Sequence, residues 1–279
     1  MSEREAEASS PPVPAEYLGV WRRSLLKTKG GTHDTSSQVY WLQTEHLHCD
    51  LRVPPAAGQI VQALGDCSDA EYLALAKQYA FAGRTEVQGD IATWYREIDF
   101  EPPGKPDVGR MTFVTPDILH EDDPDASFAA YHETWERVPG TREPSQCWGF
   151  RLAASEEGSQ RSGFLLTAGD RFMFAADRVR PLPAGAGTMR EIIGSSRAQE
   201  EKVELLGFEV SYGSTCAWTI ELSTLPQQRG ATLLKGEASS LSSAKLKSVL
   251  EAGTPIHMGG IMPHNGWRAS LPKEVYAKA

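Results

Sequence analysis

Alternation of apolar and polar residues with a period of two dominates the first half of the chain. In 38–44, Val39, Trp41 and Gln43 share one face, while in 92–100 Trp94, Arg96, Ile98 and Phe100 share another. This period is typical of β-strands with one buried face, and Gly, Pro or Asp bound most of the segments. The predicted strands are 20–26, 38–44, 47–53, 84–87, 92–100, 109–114 and 128–138.

One segment has helical periodicity instead. Ser68 followed by Glu71 forms a capping-box pattern, and an apolar stripe at helical spacing continues to Tyr79 before Gly83. The spacing predicts one short helix over 69–81, set among antiparallel strands.

The second half returns to strand patterns after a Pro- and Gly-bounded segment at 139–144. Thr167 to Arg171 indicates a hairpin turn between two apolar strands, and 242–251 indicates a short helix. We therefore predict a disordered tail (1–15), a first barrel domain (16–140) and a second barrel-like domain with a C-terminal extension (145–279). The second-half strands are predicted at 148–154, 163–167, 171–175, 203–212, 215–223 and 231–235.

Several segments of the first half resemble a known family. Gly19-Val20-Trp21 is similar to the entry signature of lipocalin (calycin) barrels, in which the tryptophan closes one barrel end beneath a basic residue. With 20–23, 38–44, 50–54, 81–85 and 94–100, the chain resembles an uncharacterised family of lipocalin-like proteins of microbes and fungi with two barrel-like halves. The resemblance is strongest over 17–138. It implies an all-β, antiparallel lipocalin-like fold but no activity.

The candidate pocket residues are polar groups on apolar strand faces. Arg96 lies between Trp94 and Ile98, and Glu133 lies between Tyr131 and Trp135. A buried charge needs a partner, so either Arg96 and Glu133 form an internal ion pair or they meet a ligand. In the second case Arg96 orients the polar end of the ligand. The predicted ligand-binding residues are Trp41, Trp94, Trp135, Arg96 and Arg52.

Two further groups carry weaker predictions. Trp21 with Arg22 or Arg23 is expected to plug a barrel end through a cation–π contact, or else to touch a ligand. His132, Glu133 and Tyr131 are candidates for acid–base catalysis, although alternation places His132 on the opposite face from the other two.

The residue patterns of the sequence give little support for a metal site. His46, His48 and Asp50 have the spacing to share a strand face and are the best metal candidate, but a solvated strand face is the simpler explanation. The segment 257–264 combines His and Met without a fixed geometry for copper. We expect neither a metal nor a cofactor, since the Walker, Rossmann, HExxH and GxSxG patterns are absent from the sequence.

Composition narrows the function classes. The chain has 279 residues, 28 Lys and Arg against 37 Asp and Glu, and a net charge of −9. This charge argues against non-specific binding to nucleic acid or anionic membranes. Four cysteines without a CxxC pair, and no apolar signal segment, predict free thiols in a cytoplasmic protein that does not insert into membranes. We expect binding of a small, largely apolar molecule; the alternatives are a cofactor-independent isomerase, cyclase or lyase, and a structural role.

Overall fold

The first half of the chain forms a closed antiparallel barrel. A computed structural model describes residues 11–102, 104, 106–125, 130–157, 159, 161–182, 187–195, 198–260 and 265–270. The barrel closes because β1 pairs with both β3 and β9, while the two-residue β2 extends one edge. The strands are β1 Gly19–Thr28, β2 His33–Asp34, β3 Gln38–Gln43, β4 Leu47–Val53, β5 Tyr79–Gln88, β6 Ile91–Asp99, β7 Asp107–Thr115, β8 Ile118–Asp122 and β9 Tyr131–Arg137. Parts of the predicted tail, strand 128–138, segment 257–264 and C-terminal extension lie outside the described residues.

One end of the barrel is closed by the residues that precede β1. Trp21 donates its indole N–H to the carbonyl of Tyr17, in a 3₁₀ turn at Ala15–Tyr17. The guanidinium of Arg137 lies 4.0 Å from the Trp21 ring centroid. A cation–π plug is therefore present, but the prediction of Arg22 or Arg23 as its cation is wrong. Arg137 occupies this position because β9 runs beside β1 and places Arg137 opposite Trp21.

A β-bulge in β6 changes which residues point inward. The pairing of β5 with β6 shifts between Ala82 and Gly83, which leaves Glu97 as an extra residue. Trp94 consequently packs in the barrel interior, whereas Ile98 belongs to the core outside the barrel wall. The predicted common face of Trp94, Arg96, Ile98 and Phe100 is therefore wrong beyond Arg96.

The second half is an open six-stranded sheet, so the prediction of a second barrel is wrong. Its order is β14-β13-β12-β11-β10-β15, with no pairing between the edge strands in the described residues. Runs such as Phe164-Leu165-Leu166 bury both faces, one against the barrel and one against the C-terminal segment. The strands are β10 Cys147–Ala154, β11 Ser162–Ala168, β12 Arg171–Ala176, β13 Glu209–Ser214, β14 Thr219–Ser223 and β15 Trp267–Ala269.

The described residues contain five α-helices rather than the two predicted, of which 242–251 is confirmed as Ser243–Glu251, and the fold is mostly β with 43% strand. Helix α2 has the predicted capping box but ends at Leu75, since Tyr79 already begins β5. Predicted strands 203–212 and 215–223 begin late, because a helix and a turn precede them, and 231–235 forms isolated bridges only. The helices are α1 Pro55–Gly58, α2 Asp69–Leu75, α3 Met189–Gly194, α4 Gln199–Leu205 and α5 Ser243–Glu251.

The barrel and the sheet share a hydrophobic core. Leu42 and Leu51 on the barrel wall belong to the same buried cluster as Leu166 and Val210 of the sheet. Tyr40 and Tyr212 stack across this interface with ring centroids 4.1 Å apart. All four cysteines have free thiols. Over the described part of the chain, no helix is long and apolar enough to cross a membrane.

Candidate functional site

The lower interior of the barrel is a cluster of tryptophans. Trp41 contacts Trp94 and Trp135 edge to face, with ring centroids 5.5 and 5.9 Å apart, and Trp21 stacks below at 6.2 Å. These rings meet because β1, β3, β6 and β9 each place an inward tryptophan in this part of the barrel, with Trp21 directly opposite Trp41 on the paired strands β1 and β3. The structure thus brings together the three tryptophans predicted to line a pocket.

A gap lies above these rings, towards the end of the barrel where β4, β6 and β8 finish; we call this the charged end. Its volume is about 10 Å³, room for about one water molecule, and it is open in part to solvent. Aromatic and acidic side chains are neighbours around it, since Asp50 pairs with Trp41 and Asp107 pairs with Trp94 across adjacent strands. The lining residues are Trp41, Phe81, Trp94, Trp135, Asp50, Arg52, Asp107 and Glu121.

Two ion-pair groups hold the charged end together. Glu133 is bound by Arg23, Nη1 to Oε1 at 2.6 Å, and lies 3.9 Å from Arg52. Arg52 in turn binds Asp50 at 2.8 Å. The predicted Arg96–Glu133 ion pair is therefore wrong, because barrel closure through β1 brings Arg23 next to β9.

Arg96 belongs to the second group. Its guanidinium lies 3.2 Å from both Asp99 and Asp107, and 4.6 Å from the Phe81 ring centroid. Burial raises the pKa of Asp99 to about 6, against the opposing effect of Arg96. Arg52 lines the gap directly, whereas Arg96 reaches it through Asp107 and Phe81.

Glu121 is the wall residue that sequence reasoning missed, because β8 was not predicted. Its carboxyl accepts hydrogen bonds from the Tyr131 hydroxyl at 3.2 Å and the Trp135 indole N–H at 3.1 Å. Burial, and then the nearby Glu133, raise its pKa well above the ordinary value. Alternation of Leu119 and Glu121 in 118–122 was the available signal.

The candidate acid–base residues separate as alternation predicts. Tyr131 and Glu133 point into the barrel, whereas His132 lies outside, with its Nδ1 2.7 Å from Asp122. Burial, and next Arg96, lower the pKa of His48 to about 3. His46 is exposed before β4 begins, so it does not join His48 and Asp50. Among the described residues, no three potential ligands are grouped to hold a metal ion.

Comparisons with known proteins add information on the fold only. No protein-family model and no curated protein matches the chain. A lipocalin-like protein of Bacteroides uniformis matches in structure with a TM-score of 0.29 and 8% identity, covering 44% of this chain and 99% of its own. An uncharacterised protein of Saccharomyces cerevisiae matches with a TM-score of 0.41 and 13% identity, covering 74% and 84%. A redesigned β-barrel matches with a TM-score of 0.27 and 13% identity, covering 47% and 99%.

The chain is thus similar in structure to a lipocalin-like protein, the kind of protein that its sequence resembles. The closed barrel itself is established by the strand pairing of this chain. No ligand or activity follows from similarity at this level.

Proposed function

We propose that the barrel binds a compact small molecule in the gap at its charged end. The observation that carries this proposal is the mixed lining of the gap, in which tryptophan rings and charged side chains lie side by side. Small-molecule sites typically combine an apolar surface with a few polar groups that fix orientation. The apolar part of the ligand packs against Trp41, Trp94 and Trp135.

The size of the gap limits the ligand. A large apolar molecule does not fit between the rings without displacing them, and these rings are at most 5% exposed. The side chains that can move are at the rim: Arg52 and Asp107 are 22% and 30% exposed. We therefore propose that binding rearranges the rim and leaves the tryptophan layer in place, with the polar part of the ligand at the charged end beside Asp107 and Glu121.

Binding is tested by native mass spectrometry of the purified chain and by calorimetric titration with small aromatic alcohols, amines and acids. We expect at least one of these probes to bind the wild type and to bind Trp94→Phe several-fold more weakly. Trp218→Phe is the matched control, because Trp218 is equally buried but lies in the second sheet's outer core. Equal loss in both variants, or no binding of any probe, contradicts the proposal.

A cofactor-independent proton-transfer enzyme is the second candidate. It is favoured by Glu121, a buried carboxyl on the gap wall that has no ion-pair partner among the described basic residues. With a raised pKa it serves as a general acid. The test is deuterium incorporation at carbon into a bound ligand in D₂O. Wild type must show it, Glu121→Gln must lose it, and Asp122→Asn, on the outer face of β8, must keep it.

A further inference from the structure

The charged end contains more carboxyl groups than guanidinium groups. Three arginines, Arg23, Arg52 and Arg96, face six acidic residues. We propose that the polar part of the ligand is an organic cation, such as a protonated primary amine. This inference rests on the proposed binding function and adds the chemical class of the ligand. The six acidic residues are Asp34, Asp50, Asp99, Asp107, Glu121 and Glu133.

The guanidinium groups of this region are occupied by carboxylates, except that the buried Nε–H of Arg96 donates no hydrogen bond. Each arginine already contacts at least two carboxylates: Arg23 binds Glu133 at 2.6 Å and Asp34 at 3.2 Å, and Arg96 binds two aspartates at 3.2 Å. An anion must displace one of these carboxylates and leave it without its partner, which is unfavourable. A cation instead meets carboxylate oxygens that have unused acceptor capacity.

A buried hydrogen-bond acceptor without a partner supports a cationic ligand. The Oε2 atom of Glu133 is inaccessible to solvent and accepts no hydrogen bond, while the residue is only 4% exposed. Glu133 is an inward residue of β9, between Tyr131 and Trp135. It lies 3.9 Å from Arg52, which lines the gap. A donor brought in by the ligand relieves the cost of this unpaired oxygen.

The aromatic wall distinguishes an organic cation from a metal ion. Aromatic rings attract ammonium groups, and Trp41, Phe81, Trp94 and Trp135 line the gap together with the carboxyl groups of Asp50 and Asp107. No described group of three His, Cys, Asp or Glu residues has the geometry for a metal. The combination fits an ammonium group attached to a small apolar body.

Cation binding is coupled to the protonation of Glu121. This carboxyl faces Glu133 and Tyr131 from β9, Asp107 from β7 and Arg52 from β4. Burial, and then the charges of Glu133 and Asp107, raise its pKa, so a cation in the gap lowers that pKa and releases a proton. Affinity for a cation therefore increases with pH across the range in which Glu121 titrates, while affinity for a neutral ligand lacks this increase.

The experiment compares three probes of the same shape and different charge: benzylammonium, benzyl alcohol and benzoate. We expect benzylammonium to bind the full-length chain most tightly, with proton release seen by calorimetry in buffers of different ionisation enthalpy. Asp107→Asn should weaken benzylammonium about tenfold, the size of one charge-assisted hydrogen bond, and leave benzyl alcohol nearly unchanged. Glu121→Gln should abolish proton release, whereas Asp122→Asn, on the outer face of the same strand, should behave as wild type.

Each outcome decides the inference. Benzyl alcohol or benzoate binding as tightly as benzylammonium overturns the cation class while the proposed binding function stands. Failure of all three probes overturns both. Benzylammonium binding that is unaffected by Asp107→Asn and releases no proton also overturns the inference, because the cation then binds elsewhere. If Asp107→Asn does not fold, the proton release of wild type against Glu121→Gln decides in the same way.

Discussion

The ion pair between Arg23 and Glu133 permits a direct test of the barrel interior. Both side chains are almost fully buried, 7% and 5% exposed, with Nη1 and Oε1 2.6 Å apart. Arg23→Met removes the charge and keeps a side chain of similar length. Glu133 then retains only Arg52 at 3.9 Å, while Asp34 keeps hydrogen bonds from the backbone N–H groups of two serines.

The expected cost of Arg23→Met follows from the buried carboxylate that it leaves behind. Breaking one side of a buried pair typically destabilises a protein by ~3–5 kcal/mol. The double variant Arg23→Met/Glu133→Gln should recover much of this loss, because no unpaired charge then remains at the position of Glu133. The neighbouring pair Arg22–Glu136 is the matched control: it lies at 2.9 Å, but its side chains are 54% and 46% exposed. Arg22→Met should cost less than ~1 kcal/mol.

Urea unfolding monitored by circular dichroism measures these differences as shifts of the transition midpoint at constant slope. The double-mutant cycle isolates the coupling between the two side chains. If Arg23→Met costs no more than Arg22→Met, then Arg23 does not point into the barrel. The register of β1 against β9, which has a bulge between Arg23 and Leu25, must then be different.

Three further predictions concern the packing and charge of the fold. Burial raises the pKa of Asp99 in the folded protein to about 6, so the stability of wild type relative to Asp99→Asn should decrease as the pH rises from about 4 to about 6. If urea titrations show a difference in unfolding free energy that does not change with pH, the burial of Asp99 is wrong. Gly83→Ala should destabilise the protein by more than ~2 kcal/mol, since a Cβ at this bulge lies 2.0 Å from a backbone oxygen. Gly65→Ala, where a Cβ meets open space, should be neutral, and equal urea midpoints for the two variants contradict the bulge. Leu166→Ala should lower the free energy of unfolding by ~2–5 kcal/mol and preserve one cooperative calorimetric transition. Leu73→Ala should lower it little, because Leu73 is 37% exposed, and two separate transitions contradict the shared core.

The barrel strands were largely predictable because each has one buried face. Strand 47–53 has the predicted bounds, and most others differ by a few residues. Strand β8 was missed since its five residues are mostly polar or charged, which hides the inward positions of Leu119 and Glu121. The isolated Gly83 within a strand pattern was a signal for the bulge, and such a bulge reverses the inward face of every later residue.

The site was predictable in its residues but not in its pairs. Alternation alone placed Trp41, Trp94 and Trp135 on inward faces, and the structure brings them together. The partner of Glu133 depends on which strand closes the barrel and in which register, and a linear pattern does not contain this information. The partner of Glu133 is therefore Arg23 and not the predicted Arg96.

The second half shows a different limit. Its uninterrupted apolar runs are typical of strands buried on both faces, and such strands belong to a covered sheet rather than to a barrel with a solvated wall. The runs at 164–166 and 172–176 carried this signal. The capping box of Thr188 and Glu191 likewise indicated the helix α3 within a segment rich in Pro and Gly.

The central claim, that the gap above the tryptophan layer binds a small molecule, is tested most directly by fluorine NMR of the protein labelled with 5-fluorotryptophan. On addition of benzylammonium we expect shifts of the resonances of Trp41, Trp94 and Trp135, assigned from single Trp→Phe variants. The resonances of Trp218 and Trp267, in the core beyond the second sheet, should not move. No shift at millimolar probe, or shifts confined to Trp218 and Trp267, would contradict the assignment of the ligand site to the barrel.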